Sequence, residues 1–137
     1  MISTMLFQGR DNLSHILDIR KEVLTDKGEI TDIYDDFAIN ALLYDDDVPA
    51  GTARLLFKEG RFFIDMVCVK NQFKGLYYED LLIRLLVRKA VSMGAEKTYM
   101  EAGEDLVEIL ENIGFKRETK GKNLMVKVGD VGGSCCS

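Results

Sequence analysis

Apolar residues along the chain follow two spacings, one helical and one extended, which alternate in blocks. After Asp11-Asn12, both able to cap a helix, Leu13, Ile16, Leu17, Arg20 and Leu24 recur at the three- and four-residue spacing of one helix face, with Gly28 shortly beyond. A brief turn or helix around Thr31–Tyr34 leads into Phe37–Tyr44, an apolar run between aspartates that predicts a strand. Asp45–Pro49 then reads as a turn, Ala50–Lys58 as a second strand, Glu59-Gly60 as a tight connection and Arg61–Val69 as a third strand. Strands joined by such short connections pair antiparallel, because a parallel pairing needs a long crossover.

The spacing then changes. Tyr78, Leu81, Leu82, Leu85, Leu86 and Met93, widened by Ile83, Val87 and Val91, mark the inner face of a long helix that Gly94 ends. Lys97–Ala102 predicts a short strand, and Leu106, Ile109, Leu110 and Ile113 one face of a short helix stopped by Gly114. Phe115–Glu118 and Leu124–Val128 close the chain as a hairpin around Lys120-Gly121-Lys122-Asn123. The predicted order is helix, three strands, helix, strand, helix, two strands, with no internal repeat and no linker. It implies an α/β (α+β) fold: one mixed, mostly antiparallel sheet of about six to seven strands flanked by helices. The expected division is a single domain over 1–128 and a flexible C-terminal tail over 129–137.

Composition narrows the function classes. A length of 137 residues suits one domain, and 47% hydrophobic with 30% charged residues is the balance of a folded globular chain. The net charge of −5, with no dense Lys/Arg run, argues against a nucleic-acid surface. No apolar stretch is long enough to span a bilayer, and the N-terminus lacks the pattern of a signal peptide, so the expectation is a soluble, cytoplasmic protein without a membrane partner. Of the three cysteines, Cys68 lies in an apolar run and Cys135-Cys136 in the tail. Their spacing fits neither a metal site nor a disulfide framework, and no metal is expected. The aspartates at Asp35-Asp36 and Asp45-Asp46-Asp47 read as solvated turns. His15, the single histidine, falls off the apolar stripe of the first helix and reads as exposed.

Several short stretches, in order, resemble the GCN5-related N-acetyltransferase superfamily. They are Ile19-Arg20-Lys21-Glu22-Val23-Leu24 with Asp36-Phe37-Ala38-Ile39-Asn40, then Val48-Pro49-Ala50-Gly51-Thr52-Ala53-Arg54-Leu55, then Met66-Val67-Cys68-Val69-Lys70-Asn71-Gln72-Phe73-Lys74-Gly75, and finally Ile113-Gly114-Phe115. The resemblance implies acetyl-CoA as cosubstrate and direct transfer of its acetyl group to an amine on a small molecule or peptide. It also implies a binding strand ending at Val67, Cys68 and Val69, followed by a phosphate-facing turn and helix start over Lys74, Gly75, Leu76, Tyr77, Tyr78 and Glu79.

Physical chemistry supports that placement. A strand end offers free backbone groups to an extended arm, and the first N–H groups of a helix face outward at the positive end of its dipole. The chain departs from the family pattern at four positions: Tyr77 and Glu79 stand where small residues are usual, Leu110 where a proton-donating Tyr is frequent, and Gly103 where a polar residue is frequent. Glu79 and Asp80 at the turn are expected to repel a pyrophosphate. Asp65, a charge within an apolar strand, is the candidate catalytic base, with a salt bridge to Arg54 as the alternative. Tyr77, Tyr78 or a water would then replace the missing acid. Cys68 has no evident His partner and is not expected to act as a nucleophile. The alternative function is a non-catalytic protein of this fold that binds an acyl-CoA or another ligand, or an interaction module that forms a homodimer through an exposed strand edge.

Overall fold

The three successive central segments form an antiparallel meander, and it organises everything around it. The computed structural model describes residues 1–24, 29–119 and 122–131. The expected stop at Gly28, the Lys120-Gly121 part of the last turn and the tail from 132 to 137, with Cys135 and Cys136, lie outside the described residues. In chain order the elements are β1 (Ile2–Gln8), α1 (Leu13–Val23), β2 (Ile39–Asp45), β3 (Val48–Lys58), β4 (Arg61–Val69), α2 (Tyr78–Ser92), β5 (Lys97–Glu101), α3 (Glu104–Ile113), β6 (Lys116–Arg117) and β7 (Leu124–Val128). One-turn 3₁₀ helices occupy Ile33–Asp36 and Asn71–Phe73. All strands join one sheet in the order β1-β2-β3-β4-β5-β7-β6, antiparallel except between β4 and β5.

β1 is the element that the periodicity missed. Nearly all of its side chains face solvent, so it shows no alternation of buried and exposed positions. Its identity comes from the backbone ladder to β2, which runs from Ile2 opposite Asp45 to Gln8 opposite Ile39.

The two faces of the sheet are covered by different helices. On one, Leu82, Ile83, Leu86, Val87 and Ala90 of α2 pack with Leu43, Ala53, Leu55 and Ile64, and Leu110 and Ile113 of α3 extend the same core. On the other, Leu13, Ile16 and Ile19 of α1 cover Leu42 and Cys68. α2 lies unusually close to the sheet at Gly51, where a Cβ would come within 3.1 Å of Leu82 Cδ1 and 3.2 Å of the Cys68 carbonyl oxygen. A side chain there would crowd both neighbours, so the absence of a Cβ eases that approach. Two residues of the expected tail, Gly129 and Val131, are fastened to the body: Gly129 N donates to Glu96 O, and Val131 is buried against the α2 core.

The parallel junction of β4 and β5 is short. Pairing is confined to Phe62 with Thr98 and Phe63 with Tyr99. Two residues further along, β4 carries a bulge. Asp65 stands opposite Arg54 and Cys68 opposite Thr52, so Met66 and Val67 together face the single residue Ala53. Met66 takes a left-handed conformation (φ 52°) to accommodate the extra residue. Beyond the bulge, β4 and β5 separate.

Candidate functional site

The separation of β4 and β5 leaves the β5-facing edge of Val67–Val69 without a strand partner among the described residues, while the other edge stays on β3 and passes its ladder on through Lys70 N to Ala50 O. The free edge leads directly into the 3₁₀ turn at Asn71–Phe73, then Gly75 (φ 84°), and then Tyr77 (φ 64°), the residue preceding α2. α1 is tied to this turn, since Asn71 N donates to Glu22 Oε2 at 3.2 Å. Strand end, turn and helix start are therefore contiguous, as the sequence predicts.

Both carboxylates expected to repel a pyrophosphate at this turn have a cationic neighbour. Lys74 Nζ lies 3.6 Å from Glu79 Oε2, and Asp80 Oδ1 accepts from Arg84 Nε at 2.7 Å. Each acidic side chain is met by a cation, which partly offsets its field at the start of α2. The first-turn N–H groups of this 15-residue helix and the open surroundings of Gly75 suit an anionic group.

The side chains named from sequence have distinct surroundings. Leu76 and Tyr77 are exposed, and Cys68 and Val69 are buried. Burial pushes the Cys68 thiol up to about 11, against the weaker pull of Arg20 and Lys74. The Tyr78 hydroxyl donates to Asp45 Oδ2, pinning the start of α2 to the end of β2. That bond, aided by desolvation, pushes the phenol up to about 12 and commits its proton to Asp45. Leu110 is fully buried in the core, Gly103 caps the start of α3, and His15 is exposed.

Asp65 is held by Arg54 in the paired geometry: Nε to Oδ1 and Nη2 to Oδ2, both at 2.8 Å. This ion pair belongs to a larger cluster that sequence reasoning did not assemble. Arg54 Nη1 also donates to Asp32 Oδ1 at 2.6 Å and to Asp35 Oδ1 at 3.2 Å. Asp35 is gripped in turn by Arg20, Nη1 to Oδ2 at 3.0 Å and Nη2 to Oδ1 at 3.1 Å, and receives the Thr31 hydroxyl at 2.7 Å. Arg20 also donates to Ile30 O and Asn40 Oδ1, while its buried Nε has no hydrogen-bond partner among the described residues.

The expectation of a solvated Asp35 is thereby overturned: its side chain and that of Arg20 are both 0% exposed. Burial alone would raise the Asp35 carboxyl, but the hydrogen bonds from Arg20 and Thr31 outweigh it and hold it down at about 2. Arg54 similarly has its pKa raised: burial works against its charge, and Asp65 and Asp32 overcome it. A signal was present in the sequence, since Arg20, Arg54 and Asp65 all sit within apolar stretches, where a charge requires a partner.

The cluster fastens α1, the Ile33–Asp36 turn, β3 and β4 together immediately before the Met66 bulge. Among the described residues no group of three or more His, Cys, Asp or Glu side chains is placed to hold a metal ion, and no helix is long and apolar enough to cross a membrane.

Neither a protein-family model nor a curated protein sequence matches the chain. Solved structures do. ElaA from Escherichia coli superimposes with a TM-score of 0.78 at 18% identity, covering 93% of this chain and 99% of that one. An acyl-CoA N-acyltransferase from Pseudomonas aeruginosa gives 0.78 at 17% identity, over 92% and 97% of the two chains. The ribosomal-protein-S18-alanine N-acetyltransferase of Escherichia coli gives 0.71 at 11% identity, over 96% and 97%. With near-complete coverage of both chains in each comparison, the chain has the fold of the GCN5-related N-acetyltransferases.

Proposed function

We propose that this protein is an acyltransferase that moves an acetyl group from acetyl-CoA to an amine of a small molecule or peptide, in the cleft between β4 and β5. The observation that carries this reading is the unpaired edge of Val67–Val69 running without a break into the anion-facing start of α2. In transfer, the amine nitrogen bonds to the acyl carbon, the carbon–sulfur bond breaks, and the amine gives up a proton. The chain supplies orientation through the backbone of Val67, Cys68 and Val69, and anion contacts through the N–H groups from Gly75 to Glu79. Lys74 adds a cation at the same turn. Asp65 is the candidate proton acceptor; its side chain is 40% exposed, although both oxygens are engaged by Arg54. A reducing cytoplasm is the compartment that suits a protein whose Cys68 is a free thiol.

A second reading, binding of an acyl-CoA without turnover, is favoured by two facts together: Leu110 is an apolar core residue, and Tyr78 has committed its proton to Asp45. One series of measurements separates the two. Thermal unfolding with acetyl-CoA, with CoA and without ligand is expected to show stabilisation of about 2.7 kcal/mol at a ligand concentration near 100 times Kd. No shift at millimolar acetyl-CoA would sink both readings. A shift without thiol release across a panel of amines leaves the binding role alone.

The turn offers a sharper check. Lys74→Ala leaves Glu79 unmatched beside the phosphates and is expected to weaken CoA binding about five-fold. Adding Glu79→Gly should restore the affinity, and Glu79→Gly alone should tighten it. Equal affinities in all four proteins, measured by calorimetry, would remove the turn from the binding site.

A further inference from the structure

β1 ends the sheet on one side, and its outer edge has no partner among the described residues. The register decides which groups face outward. Asp46 N donates to Met1 O and Gly9 N donates to Ala38 O, so the odd-numbered residues bond to β2. The N–H and C=O groups of Ile2, Thr4, Leu6 and Gln8 therefore point away from the sheet.

The strand Ile2–Gln8 has no charge, no proline and no bulge, the usual devices that keep such an edge from pairing. Ile2, Met5 and Leu6 are exposed at 41%, 52% and 37%. On the α2 side two open grooves flank it. One, of about 340 Å³, lies between Thr4 and Arg84, Leu85 and Arg88. The other, of about 260 Å³, lies between Leu6, Gln8, Lys89 and Met93.

Charge changes sign along this edge. The Asp45–Asp47 turn adjoins the Ile2 end, and Lys89 adjoins the Gln8 end. Neither Asp47 nor Lys89 forms an ion pair with another described residue.

We propose that β1 pairs antiparallel with β1 of a second copy of this chain, about a two-fold axis passing beside Met5. Ile2 of each copy then faces Gln8 of the other, and Thr4 faces Leu6, so all the outward backbone groups are satisfied at once. The same operation brings the acidic turn of each copy to the Lys89 end of the other. That reversal of charge is what selects a second copy over an unrelated extended strand, which would satisfy only the backbone. The two α2 helices come to lie on one side of the joined sheet, their grooves meeting over the apolar stripe of Ile2 and Leu6. This assembly is independent of the acyl-transfer reading, since β1 lies at the far edge of the sheet from β5.

Sedimentation velocity over a range of protein and salt concentrations tests it. A dimer is expected, with a Kd that rises with salt because the acidic turn of each copy is brought to the Lys89 end of the other. Thr4→Pro removes an outward N–H and no bond to β2, and is expected to raise the Kd at least about ten-fold. If that variant does not fold, Leu6→Lys replaces it with the same expectation. Lys89→Glu and Asp47→Lys should each weaken the dimer, and the two together should bring the Kd back to within about three-fold of the original. A monomer up to about 1 mM would overturn the proposal, a concentration at which even a millimolar Kd would show. So would a dimer indifferent to the strand variants, a double charge reversal without recovery, or a monomer whose edge takes up an unrelated extended peptide instead.

Discussion

Asp35→Ala is expected to lower the free energy of unfolding by about 3–5 kcal/mol, because it leaves a buried guanidinium without its main counter-charge. Arg20 and Asp35 are both 0% exposed, and no water-facing alternative exists for the Arg20 fork. Urea unfolding at neutral pH measures the loss directly. The pH dependence tests the same pair without a mutation. The Asp35 carboxyl is held at about 2 when folded, against an ordinary 3.8, so the native state favours its ionised form. Its stabilising contribution is therefore present in full above about pH 4 and lost as the pH falls through 2, amounting to roughly 2 kcal/mol. Asp32, lowered chiefly by its hydrogen bonds to Arg54, adds to the loss in the same direction. Asp35→Ala should unfold less steeply over that window than the parent protein. An unchanged acid transition would mean that other carboxylates control it.

Arg54→Met is expected to cost about 3 kcal/mol, the lower end for a broken buried pair, since Asp32 and Asp65 retain access to water and Asp35 keeps Arg20. Arg54→Lys should recover little, as a single ammonium cannot reproduce a fork that meets three carboxylates. Because Arg54 and Asp35 share a bond, the double variant should lose less than the sum of the two singles by at least about 1 kcal/mol. Strict additivity would show that the two halves of the cluster act separately. The same variant bears on function: freeing Asp65 loosens β4 just ahead of the bulge, and acetyl-CoA affinity should fall even though no residue of the binding turn has changed.

Much of this architecture was legible from residue order. β4 and α2 announced themselves through long uninterrupted spacing, and Gly94 and Gly114 marked helix ends that the structure places one or two residues away. β1 was not legible, because an edge strand exposed on both faces leaves no imprint of burial on its sequence. The turn between β4 and α2 was legible as a segment, but the charge pairing around it was not. Glu79 looks repulsive in sequence, and only the fold shows Lys74 lying against it. The cluster around Arg54 illustrates the same limit from the other side. Arg20, Asp35, Arg54 and Asp65 are separated by 15, 19 and 11 positions along the chain. Each is recognisable as a charge in an apolar neighbourhood, and only Arg54 with Asp65 could be matched beforehand, as strand neighbours across a short turn.

The extra residue in β4 also acts as a phase slip. Ile64 and Cys68 are both even-numbered and four apart, so an uninterrupted strand would send them to the same side; instead Ile64 joins the α2 core and Cys68 the α1 core. Everything after Met66 is read in the opposite parity from everything before it. The opening of the cleft is thus encoded by a count and not by any chemical group. Removing one residue between Asp65 and Cys68 would restore regular alternation while Cys68 stays opposite Thr52 and Val69 opposite Gly51, each on its present side of the sheet.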